Sequence, residues 1–153
     1  MITETEMLTL TNELAHVKSQ QNIAAALNIY HPDIELISPS FESVSRGITA
    51  VEKSMHIFFT LFPDYCVTLG DYAIKGQMML AIGEVSLTPQ IPEQHCPRVT
   101  VPVFIEFQFK DQRIIKETFF LDAGLICKQA GISPDQLKTA TINAIQSIRK
   151  QEL

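Results

Sequence analysis

The 153-residue chain has no tryptophan and only three cysteines, Cys66, Cys96 and Cys127. Odd in number and far apart, they suggest no disulfide framework, and no Cys-x-x-Cys pair spaces ligands for zinc. A reducing, cytoplasmic setting is the expectation that follows. The histidines are scattered, without His-x-x-x-His or carboxylate spacing, so neither a metal nor another cofactor is expected. No apolar run approaches the roughly 20 residues of a membrane span. Residues Met1 to Glu6 have neither the basic start nor the apolar stretch of a signal peptide. Basic residues are outnumbered, net charge is −5, and no basic stripe stands out. Nucleic acid and anionic membranes are therefore poor partners.

What is present is an ordinary globular composition, 46% apolar, of a length that fits one domain over residues 1–153. Met7, Leu10, Leu14 and Val17 recur at helical spacing within residues 4–18. A second, Ala-rich helix fits Asn22–Ile29 and stops at His31-Pro32-Asp33, because the residue before a proline avoids the α region. Ile34–Ser38 reads as a strand and Ser38–Gly47 as a loop. A helix follows, with Thr49 and Glu52 expected as its capping box, Val51, Met55, Phe58 and Phe62 as its buried stripe, and Pro63-Asp64 as its end. Strands are expected at Tyr65–Ile74 and Met78–Leu87, then a proline-bearing loop over Thr88–Arg98.

Val99–Phe109 alternates cleanly, with Val99, Val101, Val103, Ile105, Phe107 and Phe109 on one face. Arg113–Asp122 returns as its hairpin partner, and Ala123–Ala130 forms a short helix ended by Gly131. The final helix is the best marked: Ser133 as N-cap, Pro134 first, Gln136 as box partner, and an apolar stripe of Leu137, Ala140, Ala144, Ile145 and Ile148. An isolated helix of this length is marginal in water, so it should dock, at the mouth of a pocket or on a partner copy. Helices first and then a long meander of strands make an α+β pattern.

Several short segments follow one another in order. Tyr30-His31-Pro32-Asp33 leaves the Ala-rich helix, Arg46-Gly47 precedes the next, and Phe62-Pro63-Asp64 ends that one. Gly76, Val99–Pro102, Phe119–Asp122 and Gln129-Ala130-Gly131 complete the series. This order resembles the SnoaL-like polyketide cyclase branch of the nuclear transport factor 2-like superfamily, over about residues 8–131, with 133–151 as a C-terminal helical extension. The resemblance implies a cone-shaped, cystatin-like barrel. N-terminal helices would pack on a curved, mostly antiparallel sheet around a hydrophobic pocket, and two copies would form a homodimer. It does not name a reaction, since one cone serves many chemistries. The sequence departs from the pattern at Val85-Ser86-Leu87-Thr88, where Gly-Thr-His is usual, at Gly83, where a large residue is usual, and at Asp111-Gln112, where the turn is usually Asp-Gly. Gln112 is thus expected to take positive φ.

The resemblance makes Asp122 a candidate general acid/base, dried by Phe119, Phe120 and Leu121 and at least half buried; the same residue sits where the following helix needs an N-cap. Glu106 and Glu117 are the second candidate pair. A tight two-residue turn would set them face to face as coupled carboxylates, whereas a bulge would break that register. Tyr30 and His31 are candidate ligand contacts near one end of the cone, Tyr30 through its hydroxyl; packing and a helix-end hydrogen bond are their ordinary roles. Asp64, Tyr65 and Tyr72 suit a pocket mouth or plain turn and strand positions. Met55, Phe58, Phe59, Ile105, Phe107 and Phe120 are the expected cavity lining. Two functions follow: acid/base chemistry of cyclase or isomerase type on an apolar, carbonyl-bearing substrate, or non-catalytic binding of a hydrophobic small molecule by a dimeric protein.

Overall fold

A computed structural model describes residues 1–152. Helix α1 (Glu4–Ser19) starts at a Thr3–Glu6 capping box, and α2 (Ile23–Ile29) is capped by the Asn22 side chain. Strand β1 (Tyr30–Ser38) follows, then a single 3-10 turn at Pro39–Phe41 and a short strand β2 (Ser43–Arg46). Helix α3 (Ile48–Leu61) precedes the meander of β3 (Cys66–Lys75), β4 (Met78–Leu87), β5 (Val99–Lys110) and β6 (Arg113–Leu121). Helices α4 (Ala123–Ala130) and α5 (Pro134–Gln151) close the described chain.

The six strands form one sheet in the order β2-β1-β6-β5-β4-β3. All neighbours are antiparallel except β1 and β6, which run parallel. The sheet is therefore mixed and not closed, an α+β arrangement with its helices packed on one face. Strand β1 begins at Tyr30, earlier than the sequence suggests. It bulges over His31–Ile34, where Pro32 has no N–H to give the ladder, and rejoins β6 at Glu35. The expected loop at Ser38–Gly47 contains β2, which pairs with Glu35–Ser38. Its serines and arginine carry no alternating apolar signal.

The expected Thr49–Glu52 capping box is not formed. The N-cap of α3 is Gly47, at φ 83°, with no side-chain cap. Gly47 N–H donates to the Ile34 carbonyl at 2.7 Å, which ties the helix start to β1 and leaves Thr49 inside the first turn. Gly83 has a steric reason: a Cβ there would collide with the Thr68 carbonyl oxygen of β3, which bulges between Leu69 and Tyr72. The inward face of β5 is buried throughout, from Val99 to Phe109. At the β5–β6 turn, Asp111 and Gln112 both take positive φ, 52° and 62°, as a two-residue turn of the primed kind requires.

The Ser133–Gln136 capping box forms as the sequence reads. Leu137, Ala140 and Ala144 are buried and Ile145 and Ile148 half-buried, and the helix packs on α3 and α4. Among the described residues, no helix is long and apolar enough to cross a membrane.

Candidate functional site

Among the described residues, the helix-covered face of the sheet carries one buried carboxylate. Glu117 sits on β6 opposite Leu36 of β1 and Phe107 of β5, in the middle of the sheet, and is 2% exposed. A buried carboxylate needs partners, and two distant elements supply them. Lys18, in the last turn of α1, donates to both Glu117 oxygens at 3.1 and 2.8 Å. The Tyr30 hydroxyl, at the start of β1, donates to Oε2 at 2.8 Å. The Lys18 ammonium also lies 5.5 Å from the centre of the Tyr30 ring. Burial, and next the Glu117 charge, push the Tyr30 hydroxyl well above its ordinary value. Tyr65 is raised by the same two causes, followed by Cys66.

Above this group α3 lays an aromatic wall. Phe58 packs on Phe41, Phe59, Phe62, Tyr65 and Phe119 at centroid distances of 5.0 to 6.1 Å, mostly edge to face. Between that wall and the sheet runs a narrow cleft of about 50 Å³. Met55, Phe58 and Phe59 line one side, Leu36, Ser38 and Phe119 the other, with Ser54, Tyr65 and Lys18 completing it. Ser38 Oγ is buried and has no hydrogen-bond partner.

The expected site residues are thus divided among several places. Met55, Phe58 and Phe59 line the cleft. Ile105 and Phe107 lie deeper, around a void of about 10 Å³ that also touches Lys18 and Glu117. Tyr30 is fully buried behind Glu117 and does not line the cleft. Phe120 is on the opposite face of the sheet, 48% exposed and paired with Phe104, because β6 alternates and Phe119 takes the inner position.

Asp122 is exposed, contrary to the expected half-burial. It is the N-cap of α4, its carboxylate accepting from the Leu125 amide at 2.9 Å. Glu106 does not face Glu117. Lys110 pairs with Arg113 as a tight turn requires, but a bulge at Gln108–Phe109 shifts the ladder, so Glu106 opposes Thr118. It bonds there with Gln108 at 3.0 Å and lies 3.7 Å from Lys116. His31 is at the β5–β6 turn: its Nδ1 accepts from the Asp33 amide at 3.0 Å, and its Nε2 lies 3.3 Å from Asp111. That geometry makes it a brace for the turn. Among the described residues, no cluster of three or more His, Cys, Asp or Glu side chains is spaced to hold a metal ion.

Sequence reasoning missed Lys18, Leu36, Ser38, Ser54 and Phe119. Lys18 reads as an ordinary basic residue at a helix C-terminus, and only tertiary packing brings it to Glu117. Phe119 was within reach of the alternation on β6, had its phase been fixed from Leu121; Ile114 lies beyond the bulge and has the other parity.

The geometry has close counterparts among solved structures. A Catenulispora acidiphila DSM 44928 protein with a ketosteroid isomerase-like fold, in complex with trimethylamine, superposes with a TM-score of 0.75 at 12% identity, covering 82% of this chain and 95% of that one. TsrD from Streptomyces laurentii gives a TM-score of 0.71 at 18% identity, over 87% of this chain and 100% of its own. A Jannaschia sp. CCS1 protein named after the SnoaL-like polyketide cyclases gives 0.72 at 17% identity, over 86% and 95%. These likenesses establish the nuclear transport factor 2-like fold. A comparison with curated proteins gives no match. The family model described as SnoaL-like domain matches residues 12–117, which hold Lys18, Tyr30 and Glu117 as well as most of the cleft, and the chain belongs to the SnoaL-like domain family.

Proposed function

We propose that this protein holds a slim, mostly apolar small molecule in the cleft beneath α3 and does not transform it. The observation that carries the reading is the state of Glu117. A general base must reach the proton it removes with a free lone pair. Of its roughly four lone-pair sites Glu117 gives two to Lys18 and one to Tyr30, and it is not among the residues that line the cleft. Asp122 caps a helix in solvent and Glu106 is on the other face, and among the described residues no carboxylate lines the cleft. The aromatic lining and the shortage of polar groups favour a flat or aliphatic ligand with one or two oxygens over a sugar or a phosphate.

Acid/base catalysis of cyclase or isomerase type is the second reading, favoured by Glu117 itself, a carboxylate buried on the helix-covered face beside the cleft-lining Lys18. It requires Lys18 to swing away when substrate enters. A thermal-shift screen tests the binding reading. Stabilisation by oxygen-bearing hydrophobic compounds is expected. Stabilisation by phosphorylated metabolites alone overturns it, and turnover of a stabilising compound that is lost in Glu117→Gln moves the assignment to catalysis.

The outer face of the sheet favours a partner of the same chain. Leu80, Ile82, Phe104 and Phe120 are all large, apolar and exposed there. A patch of this kind on one sheet face is a surface that association would cover. A reducing compartment such as the cytosol suits the three free cysteines.

A further inference from the structure

We infer that the cleft selects an uncharged ligand whose single acceptor oxygen is seated on the Lys18 ammonium. This rests on the binding reading above and narrows it to a chemical class.

The first support is a count of donors and charges. A lysine ammonium has three N–H groups. Lys18 reaches both Glu117 oxygens, at 3.1 and 2.8 Å, with at most two of them, and the residue also lines the cleft. At least one N–H remains for a ligand. The pair as a whole is neutral, and among the described residues no other charged side chain lines the cleft. An anionic ligand would bring a second negative charge into a wall of Phe and Met whose one cation is already matched. An unmatched charge in such a place is strongly disfavoured. A cationic ligand would meet Lys18 before it met Glu117, whose oxygens lie behind the ammonium bonds. A neutral carbonyl oxygen takes the free N–H and leaves the balance intact.

The second support is Ser38. It lines the same cleft, and its hydroxyl is sealed from water without a partner. A buried hydroxyl in that state is a standing cost. One staggered step of χ1 offers it a new direction, and a ligand oxygen would give it an acceptor.

The third is size. The cleft holds about 50 Å³, against the roughly 150 Å³ of an engineered cavity that takes benzene. Only the oxygen-bearing edge of a single ring, or a short chain, enters without moving Phe58 or Phe59. The class is therefore a small ketone, ester or amide, and neither an acid nor a fused polycycle.

Three near-isosteric probes decide the matter on the full-length protein: acetophenone, benzoate and ethylbenzene. Binding is followed by NMR at the Met55 methyl group, which lines the cleft. Acetophenone should bind at least about tenfold more tightly than either of the others. Glu117→Gln leaves Lys18 unmatched and should shift the acetophenone-to-benzoate ratio about tenfold toward benzoate. Benzoate binding as well as acetophenone in the wild type overturns the neutrality. Ethylbenzene binding as well as acetophenone overturns the role of Lys18 while leaving a hydrophobic pocket standing. If no probe perturbs Met55, the binding reading fails and this inference with it. Should Glu117→Gln not fold, the wild-type ranking alone still decides.

Discussion

Glu106 and Glu117 lie on opposite faces of the sheet, separated by one bulge at Gln108–Phe109. Without the bulge, the Lys110–Arg113 turn would set the two carboxylates side by side. With it, Glu117 turns inward against Phe107 and is left alone among apolar side chains. The outward Glu106 has Lys116 and Gln108 beside it. Local backbone irregularity thus decides that, among the described residues, the helix-covered face holds one buried carboxylate and needs one cation, which α1 delivers as Lys18.

That dependence is unequal. Lys18→Met strands Glu117 with only Tyr30 as partner and should cost about 3 kcal/mol, the low end for breaking a buried pair. Glu117→Gln keeps an acceptor for both donors and leaves the cation on Lys18, which is nearer to solvent than Glu117. It should cost less, about 1–2 kcal/mol. Urea unfolding of both variants checks the order; Lys18→Met proving the milder would refute it.

Alkaline pH attacks the same group. Tyr30 and Tyr65 have hydroxyls raised well above their ordinary value by burial and by the Glu117 charge. Above the ordinary tyrosine value, near pH 10, the unfolded chain gives up these protons and the folded chain keeps them. Folding stability therefore holds below about pH 10 and falls as pH rises toward the folded values. Tyrosinate absorbance should show the exposed Tyr72, whose hydroxyl bonds to Glu4 of α1, ionising separately, with Tyr30 and Tyr65 following only as the chain unfolds. Ionisation of all three tyrosines in a still-folded protein contradicts this.

The β5–β6 turn carries avoidable strain. Asp111 and Gln112 both sit in the left-handed region, where residues with a Cβ are disfavoured. Asp111 also holds His31, so Gln112 is the position to relieve. Gln112→Gly should raise stability by about 0.5–1 kcal/mol, less what glycine adds to unfolded-chain entropy. The check is a higher denaturant midpoint at unchanged slope; a lower midpoint refutes it.

Much of this architecture was legible because it is local. The clean alternation of Val99–Phe109, the capping box at Ser133–Gln136 and the positive φ of Gln112 all follow from residues within a few positions of one another. The misreadings concern partners far apart in the chain. Gly47 starts α3 because its amide reaches Ile34 on β1. β2 exists because Glu35–Ser38 offers it an edge. The reason for Gly83, noted in the sequence only as a departure, is likewise distant: the Thr68 carbonyl oxygen of β3 leaves no room for a Cβ. The candidate site failed in the sequence for the same reason. Its key contact joins residues 18 and 117, and nothing in either neighbourhood marks Lys18 as the cation for a buried carboxylate.

The outer face should be the centre of a homodimer. Phe104 opposes Phe120 in the ladder on one side and Ile82 on the other, and the two phenylalanines are 51% and 48% exposed. Burying a side chain of this size contributes about 1.5–3 kcal/mol, and in a two-fold interface each position counts twice. Phe104→Lys places an ammonium from each copy at that centre, where two like charges would lose water and repel. The monomer should tolerate the change, because the lysine replaces a ring that the monomer leaves half in water. Light scattering at micromolar concentration should therefore give twice the chain mass for the wild type and the single mass for Phe104→Lys, with unchanged circular dichroism. A wild-type protein that stays monomeric at these concentrations rules the interface out.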